Sequence, residues 1–316
     1  MDLSVIIPAH NEEQNLPRTI DGILAALRRE RISFEIVIVN DNSRDRTRQL
    51  IVDRMRDDPE LAVVDNPPPG GFGRAIRTGL HAFRGDAVAI MMADHSDDPE
   101  DLVRCFRKLG EGYDCVFGSR FREASTVTSY PPLKLAVNRA VNTLLRLLFM
   151  VPWNDLTNAF KVYRRSAIEG LGPLQASHFN ITIELSLSCV IRGYRIAEVP
   201  INWYGRTWGV SNLKLSEMGR RYLATLIKIW FERLLIADDV MVESARHART
   251  LESTSASGSS AAAAAASALA SAAGGASVVP PPAAASVASP AGASTSAGAP
   301  VTTAGIPVAA PRLSRD

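Results

Sequence analysis

Acidic and amide side chains follow three short apolar segments near the start of the chain. The polar turns are Pro8–Glu12, Asn40–Ser43 and Ala93–Asp97, which directly follow Ser4–Ile7, Ile36–Val39 and Val88–Met92. Short β-branched segments bounded by turn residues are typical of buried parallel strands. Ligands of open α/β sheets bind beyond the carboxyl ends of such strands, so the three turns are expected to meet at one crevice. Carboxylates in that crevice suit a divalent metal ion, ribose hydroxyls or both.

The third turn carries the most specific prediction. Asp94, Ser96 and Asp97 are candidate ligands of Mg²⁺ or Mn²⁺ beside a diphosphate, because hard cations take oxygen ligands. The alternative is that Asp97 and Asp98 simply cap the next helix. We assign Asp98 to the cap, where a side-chain oxygen meets free backbone amides, and Asp94 to the site.

The first two turns could hold a nucleoside. Asp41 could accept hydrogen bonds from a base or a ribose, or it could close an Asx turn onto the next helix. Asn11 could contact the ligand, or the turn could simply cap the first helix through Asn11 or Asn15. Gly73, in the sequence Gly-Gly-Phe-Gly before a helix, could let backbone amides approach a phosphate. This last signal is weak, because no Gly-Lys-Ser or Gly-Lys-Thr follows it.

Basic residues indicate a second anionic ligand. Arg120 follows the fifth predicted strand, while Lys134, Asn138 and Asn142 recur every four residues on one helix face. Arg and Lys beside a metal–diphosphate site suit another phosphate. For Lys134 the alternative is a solvated helix face. Arg206 lies in a polar loop that is interpreted either as a lid contacting phosphate or as a mobile surface loop.

Strands and helices alternate through the first half of the chain. The predicted strands are Leu3–Pro8, Glu35–Asn40, Leu61–Asp65, Ala87–Met92 and Tyr113–Phe117. The predicted helices are 16–29, 44–55, 72–83 and 99–109, followed later by 133–150, 178–192 and 215–236. This order predicts an α/β fold with a doubly wound, mainly parallel sheet and helices on both faces.

Three regions are expected along the chain. Residues 1–214 would form the catalytic domain, and residues 215–249 an amphipathic helical appendage. Residues 250–316 are rich in Ala, Ser and Pro with almost no charge, so they are predicted to form a disordered tail. The alternative is a transient helix at the poly-alanine segment 261–266. A protein partner could bind through the tail, but the sequence does not identify one.

Composition narrows the class of protein. The net charge of +2 gives no indication of nucleic-acid binding, and we expect no nucleic-acid partner. The three cysteines do not have the spacing of metal ligands or of a redox pair. No segment reaches the about 18–20 apolar residues of a membrane span. The helices at 133–150 and 215–236 combine apolar residues with Arg and Lys, which is typical of interfacial helices, although core packing is the alternative. We expect a cytoplasmic protein, without a signal peptide, that lies peripherally on the cytoplasmic membrane face.

The order of these segments resembles family 2 glycosyltransferases of the GT-A fold. More narrowly, it is similar to the dolichol-phosphate mannosyltransferase group, the polyprenyl-phosphate sugar synthases. The segments that carry the resemblance are Val5–Glu12, Val39–Ser43, Asp94 with Ser96, Gly118–Arg120, Asp155–Arg164, Val199–Ile201 and Arg206–Ser211. The resemblance covers about residues 3–214.

The resemblance implies a sugar nucleotide as donor and a polyprenyl phosphate as acceptor. The residues that it places against the nucleoside are Pro8, Asn11, Glu12 and Asp41, with Ser43 in the same turn as Asp41. Asp94 matches the position for metal and diphosphate. Arg120, Lys134 and Asn138 match positions that bind the acceptor phosphate. Asp155 lies in a segment near the sugar, and Arg206 matches a loop Arg near the phosphates.

Three departures from the family pattern affect these expectations. Met92 stands where the first acid of the family's Asp-x-Asp is usual, which leaves the metal fewer ligands. Asn40 replaces the first acid of an Asp-Asp turn. Lys134 and Asn138 replace an Arg and a Ser, which retains charge and polarity but loses bidentate geometry.

The sequence therefore predicts an inverting enzyme that moves a sugar from a GDP-mannose or UDP-glucose type donor to a polyprenyl phosphate, with Mg²⁺ or Mn²⁺. One alternative is a family 2 enzyme that glycosylates a sugar or protein hydroxyl, which needs a carboxylate base such as Asp155 or Glu184. Another is an inactive sugar-nucleotide-binding protein, for which Met92 is the best support. A Rossmann dehydrogenase is disfavoured, because no Gly-x-Gly-x-x-Gly follows the first strand.

Overall fold

A computed structural model describes residues 1–205 and 219–236. The strands are β1 (Leu3–Ala9), β2 (Phe34–Asn40), β3 (Leu61–Asp65), β4 (Ala87–Ile90), β5 (Cys115–Ser119), β6 (Val127–Thr128), β7 (Lys161–Arg164), β8 (Ile196–Pro200) and β9 (Trp203–Tyr204). The helices are α1 (Leu16–Arg29), α2 (Thr47–Arg54), α3 (Phe72–Ala82), α4 (Pro99–Gly110), α5 (Pro132–Phe149), α6 (Arg165–Glu169), α7 (Ile181–Ile191) and α8 (219–236). The loop of Arg206, the start of the helix predicted at 215–236 and the predicted tail lie outside the described residues, so the three-region division stays a prediction.

Seven strands form one sheet in the order β3-β2-β1-β4-β7-β5-β8. All neighbours are parallel except β7, which runs antiparallel to both β4 and β5. Strands β6 and β9 form a small second sheet. The predicted α/β fold with a mainly parallel sheet is therefore confirmed, and β7 is the strand whose direction the sequence pattern did not predict.

Several predicted boundaries shift for local reasons. The helix expected from residue 44 begins at Thr47, because the Asp45 carboxylate accepts hydrogen bonds from the Thr47 amide at 3.0 Å and hydroxyl at 2.6 Å. The strand expected at 113–117 begins two residues later, where Cys115 pairs with β7 and β8. Residues 194–203, whose pattern predicts one strand or a pair of strands around Pro200, form two strands, β8 and β9, that pair with different partners.

Apolar layers cover both faces of the sheet. Alternate residues of β1 face opposite layers: Val5 and Ile7 join one cluster and Ile6 joins the other. The first layer takes apolar residues of α1 and α4, and the second takes those of α3, α5, α7 and α8. Each fully buried Ile or Val contributes about 1.5–3 kcal/mol. This two-sided burial holds the strand ends in a fixed row, which is what positions the polar turns.

Helix α8 packs into the second layer through the buried Ile229, and polar side chains also join it to α7. Three of these polar contacts join Asn180 to Thr225 at 2.9 Å, Glu184 to Lys228 at 2.6 Å and Arg192 to Glu232 at 2.6 Å. Other apolar residues of α8 lie on its outer side and are exposed. Of the helices that the structure describes, none is long and apolar enough to span a membrane.

Candidate active site

The turns after β1 and β2 are hydrogen-bonded to each other. The Asn11 amide donates to Ser43 Oγ at 3.1 Å, and Asn11 Oδ1 accepts from the Arg44 amide at 2.7 Å. The Glu12 amide donates to Thr47 Oγ1 at 2.9 Å. Asn11 adopts the left-handed conformation, with φ of 55°. Of the two predicted cap positions, Asn15 rather than Asn11 is the residue at the start of α1.

Asp41 links this pair of turns to the loop before α3. Its carboxylate accepts from the Gly71 amide at 2.9 and 3.0 Å and from Asn66 Nδ2 at 2.7 Å. A Cβ at Gly70 would lie 2.9 Å from Asp41 Oδ1, so the loop approaches closely only with glycine there. Asp41 thus fixes one wall of the crevice, and its contact with a nucleoside stays a prediction.

Gly73 allows close packing of the backbone, whereas the sequence predicted that its amide would face a phosphate. Its amide donates to the Ser177 carbonyl at 3.1 Å, so it is already used within the protein. A Cβ at this position would lie 2.6 Å from the Ala176 carbonyl oxygen and 2.7 Å from that of His178. The glycine is required because the 176–178 segment presses against the start of α3, which corrects the interpretation from sequence.

The turn after β4 holds the candidate metal ligands. Asp94 is 6% exposed, and its Oδ1 accepts from the Ser96 amide at 3.3 Å. Asp97 lies deeper: its Oδ2 accepts from the Met92 amide at 2.9 Å, and burial raises its pKa to about 7. Asp98 accepts from the Glu100 amide at 2.9 Å, which confirms it as the cap of α4. Asp98 therefore caps the helix as predicted, and the binding of a metal ion by Asp94 and Ser96 stays a prediction.

These residues fit a metal ion that is also bound by a diphosphate. Among residues 1–205 and 219–236, no group of three or more His, Cys, Asp or Glu side chains could hold an ion alone. Mg²⁺ typically uses one or two protein carboxylates with phosphate oxygens, which matches Asp94 supported by Ser96. Nδ1 of His95 is also buried beside them without a hydrogen-bond partner in the described structure. That orphaned polar atom marks the turn as incomplete without a ligand.

Arg120 and Asp155 form a buried ion pair at the end of β5. Arg120 Nε and Nη2 each donate to the carboxylate at 2.8 Å, and the Arg120 amide donates to it at 3.1 Å. The two side chains are 8% and 0% exposed. Burial alone would lower the pKa of Arg120, but the charge and hydrogen bonds of Asp155 raise it. Asp155 therefore orients Arg120, whereas its predicted place near the sugar stays a prediction.

A polar chain runs from this ion pair to α5. Thr157 Oγ1 lies 3.4 Å from Asp155 Oδ1 and 3.0 Å from Asn138 Oδ1. Asn142 Nδ2 donates to Asn138 Oδ1 at 2.6 Å and to Thr157 Oγ1 at 2.9 Å. Lys134, on the same helix face, lies with its Nζ 5.8 Å from the centroid of the Tyr130 ring. The predicted helix face is therefore turned toward Arg120, against the alternative of a solvated face.

The metal turn and the Arg120 cluster belong to one site. Asp97 forms a β-bridge with Trp203, whose ring centroid is 4.8 Å from that of Tyr130. The charges of Asp97 and Arg120 also affect each other's pKa. The structure therefore brings together the ends of β4 and β5, as the sequence predicted, while Arg206 lies outside the described residues.

Lys161 supports the site from beneath. Its fully buried Nζ donates to the carbonyl oxygens of Leu156, at 3.0 Å, and Asn158. Burial lowers the pKa of Lys161 to about 7, although the nearby Asp155 charge opposes that shift. Sequence reasoning missed Lys161, Thr157 and Tyr130 as site residues. Lys161 could have been identified from the sequence, because it is a cationic residue within an apolar strand.

We expect Lys161→Met to change the pH dependence of stability. The Lys161 pKa is near 7 in the folded protein and about 10.4 in the unfolded chain. Between these values the unfolded chain binds a proton that the folded protein lacks, so wild-type stability gains with rising pH, by at most about 1.4 kcal/mol per pH unit. Urea unfolding at pH 7 and pH 9 should show that the variant lacks this gain. The surface control Lys108→Met should keep the pH dependence of wild type. The same pH dependence in Lys161→Met would contradict the assignment.

Comparison with known proteins agrees with this arrangement. Residues 4–172 match the family described as Glycosyl transferase family 2. The chain is 31% identical over 220 residues to the polyprenol monophosphomannose synthase of Mycolicibacterium smegmatis, covering 68% of this chain and 82% of that one. It is 29% identical over 239 residues to the dolichyl-phosphate beta-glucosyltransferase of Trichomonas vaginalis, covering 72% of each.

A solved structure shares the fold. It is glucosyl-3-phosphoglycerate synthase from Mycobacterium tuberculosis in complex with Mn²⁺, uridine diphosphate and phosphoglyceric acid. The TM-score is 0.56 at 22% identity, over 72% of this chain and 78% of that one. The sheet and its crevice thus define a glycosyltransferase of GT-A architecture. The chain belongs to glycosyl transferase family 2.

Proposed function

We propose that the protein transfers a hexosyl group from a nucleoside-diphosphate sugar to a polyprenyl phosphate, with inversion at the anomeric carbon. The observation that carries this proposal is the cationic cluster of Arg120 and Lys134 beside the acidic turn at Asp94. Two phosphate-bearing substrates can then meet between a metal position and an anion position. The names of the two relatives, a mannose and a glucose transferase to prenyl phosphates, support this acceptor class.

The chemistry of the acceptor follows from which carboxylates are engaged. A phosphate nucleophile is already anionic near pH 7 and needs no strong base. A hydroxyl acceptor needs one, and the two candidates from sequence were Asp155 and Glu184. Asp155 is committed to Arg120, and Glu184 accepts from Lys228 and from the amides of Gln175 and Ala176. This favours a phosphate acceptor over a sugar or protein hydroxyl.

Asp94, with Ser96, would hold a divalent cation against the donor diphosphate. When bound, Mg²⁺ or Mn²⁺ supplies charge neutralisation for the departing nucleoside diphosphate. The Mn²⁺ and uridine diphosphate in the structural neighbour support this cofactor class. The chain's own residues do the positioning: Arg120 and Lys134 hold the attacking phosphate in line with the anomeric carbon.

Purified protein with a polyprenyl phosphate, Mg²⁺ or Mn²⁺ and a panel of labelled GDP- and UDP-sugars tests the proposal. We expect metal-dependent transfer of label into the organic phase from one donor, which would also identify the sugar. Donor binding without transfer to any prenyl phosphate would favour the inactive binding protein that Met92 suggested. Transfer to a sugar or protein hydroxyl instead would favour the other alternative.

We also propose that α5 and α8 lie on a membrane surface. Exposed apolar side chains of α5 are Leu133, Val137, Leu144, Leu147, Leu148 and Met150, and those of α8 are Leu223, Ile227, Trp230, Phe231, Leu234 and Leu235. Arg139, Arg146 and Arg220 are exposed among them, which suits anionic headgroups. The pattern of α5 predicts Leu145 and Phe149 on the same interfacial face, but both are buried and pack in the core. Attachment at the cytoplasmic face stays a prediction.

Flotation with anionic liposomes tests this surface. We expect wild type to float and the double variant Leu223→Glu with Phe231→Glu to remain in the dense fractions, because two exposed contacts of α8 become charged. Met55→Glu changes an exposed apolar residue near α2 and should not alter flotation. Equal flotation of all three proteins would remove α8 from the membrane surface.

A further inference from the structure

Tyr130 lies at the centre of the cationic cluster. Its ring centroid is 5.9 Å from Cζ of Arg120 and 5.8 Å from Nζ of Lys134. The Trp203 ring packs against it at 4.8 Å, with a tilt of 52°. Aromatic faces attract cations at these distances, so the ring holds the two positive side chains near each other while it is itself held by Trp203.

Hydrogen bonds of Asn138 fix how the Tyr130 hydroxyl is used. Asn138 Oδ1 accepts from Asn142 Nδ2 at 2.6 Å and from Thr157 Oγ1 at 3.0 Å. These two donors identify that atom as the amide oxygen, so Asn138 Nδ2 is the atom 3.1 Å from the Tyr130 hydroxyl. The amide therefore donates and the phenol oxygen accepts. The phenol proton is not used in this bond and can be donated elsewhere.

Arg120 alone cannot surround a phosphate. Its Nε and one Nη2 hydrogen are committed to Asp155. A guanidinium has five N–H donors, so the remaining ones are those of Nη1 and the second Nη2 hydrogen. A phosphate monoester presents three outer oxygens, and it needs donors from more than one direction. Lys134 supplies one, and the phenol proton between the two cations supplies another.

We propose that Tyr130 is a further binding residue for the acceptor phosphate, donating its phenol proton to an outer phosphate oxygen between Arg120 and Lys134. The inference rests on the proposed function and deepens it. Asp155 fixes the orientation of Arg120, and Asn138 fixes that of Tyr130, so the two donors face the phosphate as one preorganised unit.

Tyr130→Phe tests the inference, because it removes the hydroxyl and keeps the ring between the cations. Tyr113→Phe is the matched control: Tyr113 is also flanked by two cations, Lys108 at 5.3 Å and Arg195 at 5.7 Å, but it precedes the opposite end of β5. The probes are citronellyl phosphate, the uncharged citronellol and the sugar nucleotide that gives transfer. Titration calorimetry, KM for each substrate and the melting temperature are measured for all three proteins.

We expect Tyr130→Phe to weaken citronellyl phosphate binding and raise its KM by about tenfold, the usual effect of losing one hydrogen bond to a charged group. Donor KM should match that of wild type and Tyr113→Phe, and the melting temperature should fall only slightly, because the hydrogen bond from Asn138 is lost. Unchanged citronellyl phosphate binding in Tyr130→Phe would overturn the inference while leaving the proposed function intact. Equal loss of donor and acceptor binding with a lower melting temperature would also overturn it, as a structural role. Wild type that binds citronellyl phosphate no better than citronellol would overturn both.

Discussion

Asp94→Asn is expected to lower sugar transfer by about a thousandfold or more. Asp94 is the buried carboxylate of the turn after β4, and asparagine keeps its shape but removes the charge that would hold a divalent cation. Charge stabilisation of a leaving diphosphate accounts for several kcal/mol of the barrier, and each 1.36 kcal/mol is tenfold in rate. Transfer assays should show the loss at saturating donor. Titration of Mn²⁺ with nucleoside diphosphate present should show weaker metal binding.

The matched control for this prediction is Asp98→Asn. Asp98 lies four residues on and accepts from the Glu100 amide as the cap of α4, a position where asparagine serves equally well. This variant should retain metal binding, transfer and melting temperature. If Asp94→Asn retained Mn²⁺ affinity and most of the activity, Asp94 could not be the metal position, and the buried Asp97 would become the residue to test.

The sequence predicted strands β3, β2, β1 and β4 well, because the patterns that indicate them lie within each strand and the turn after it. β1, β2 and β4 are β-branched segments buried on both faces, so they show as continuous apolar runs that stop where the chain leaves the sheet. The polar turns at Asn11, Asp41 and Asp94 follow at those stops. Each apolar segment thus indicates a strand, and the point where it stops indicates the edge of the sheet at which the crevice lies. No long-range contact is needed for either inference.

The arrangement of β7 and of the residues around Arg120 could not be predicted in the same way, because it depends on contacts between residues that are far apart in the sequence. Arg120 and Asp155 are 35 positions apart, and nothing in either neighbourhood indicates that one holds the other. β7 is short and amphiphilic, and its antiparallel direction is set by pairing with β4 and β5. Gly73 looked like a phosphate loop because the glycine pattern is the same whether a ligand or the 176–178 backbone approaches. Arg120 and Lys134 could be identified from their positions in the sequence and from the family resemblance, whereas Tyr130 could be identified only from the structure.

Arg120→Lys is expected to raise the KM for polyprenyl phosphate by about ten- to hundredfold and to leave the donor KM unchanged. Lysine keeps the positive charge, but it cannot donate twice to Asp155 and still face the phosphate with a planar group. Alanine is unsuitable here, because it would leave Asp155 buried without its partner at a cost of about 3–5 kcal/mol. Initial rates measured over a range of each substrate separate the two KM values.

Arg122→Lys provides the comparison within the same segment. Arg122 is half exposed and pairs with the buried Glu198 at 2.6 Å, so the same substitution there changes an ion pair that does not involve Arg120 or Asp155. It should leave both KM values near wild type. An equal rise in donor and acceptor KM for Arg120→Lys would mean that Arg120 shapes the whole crevice. A rise confined to the donor would place the sugar nucleotide at Arg120, and the acceptor phosphate would then have to lie elsewhere.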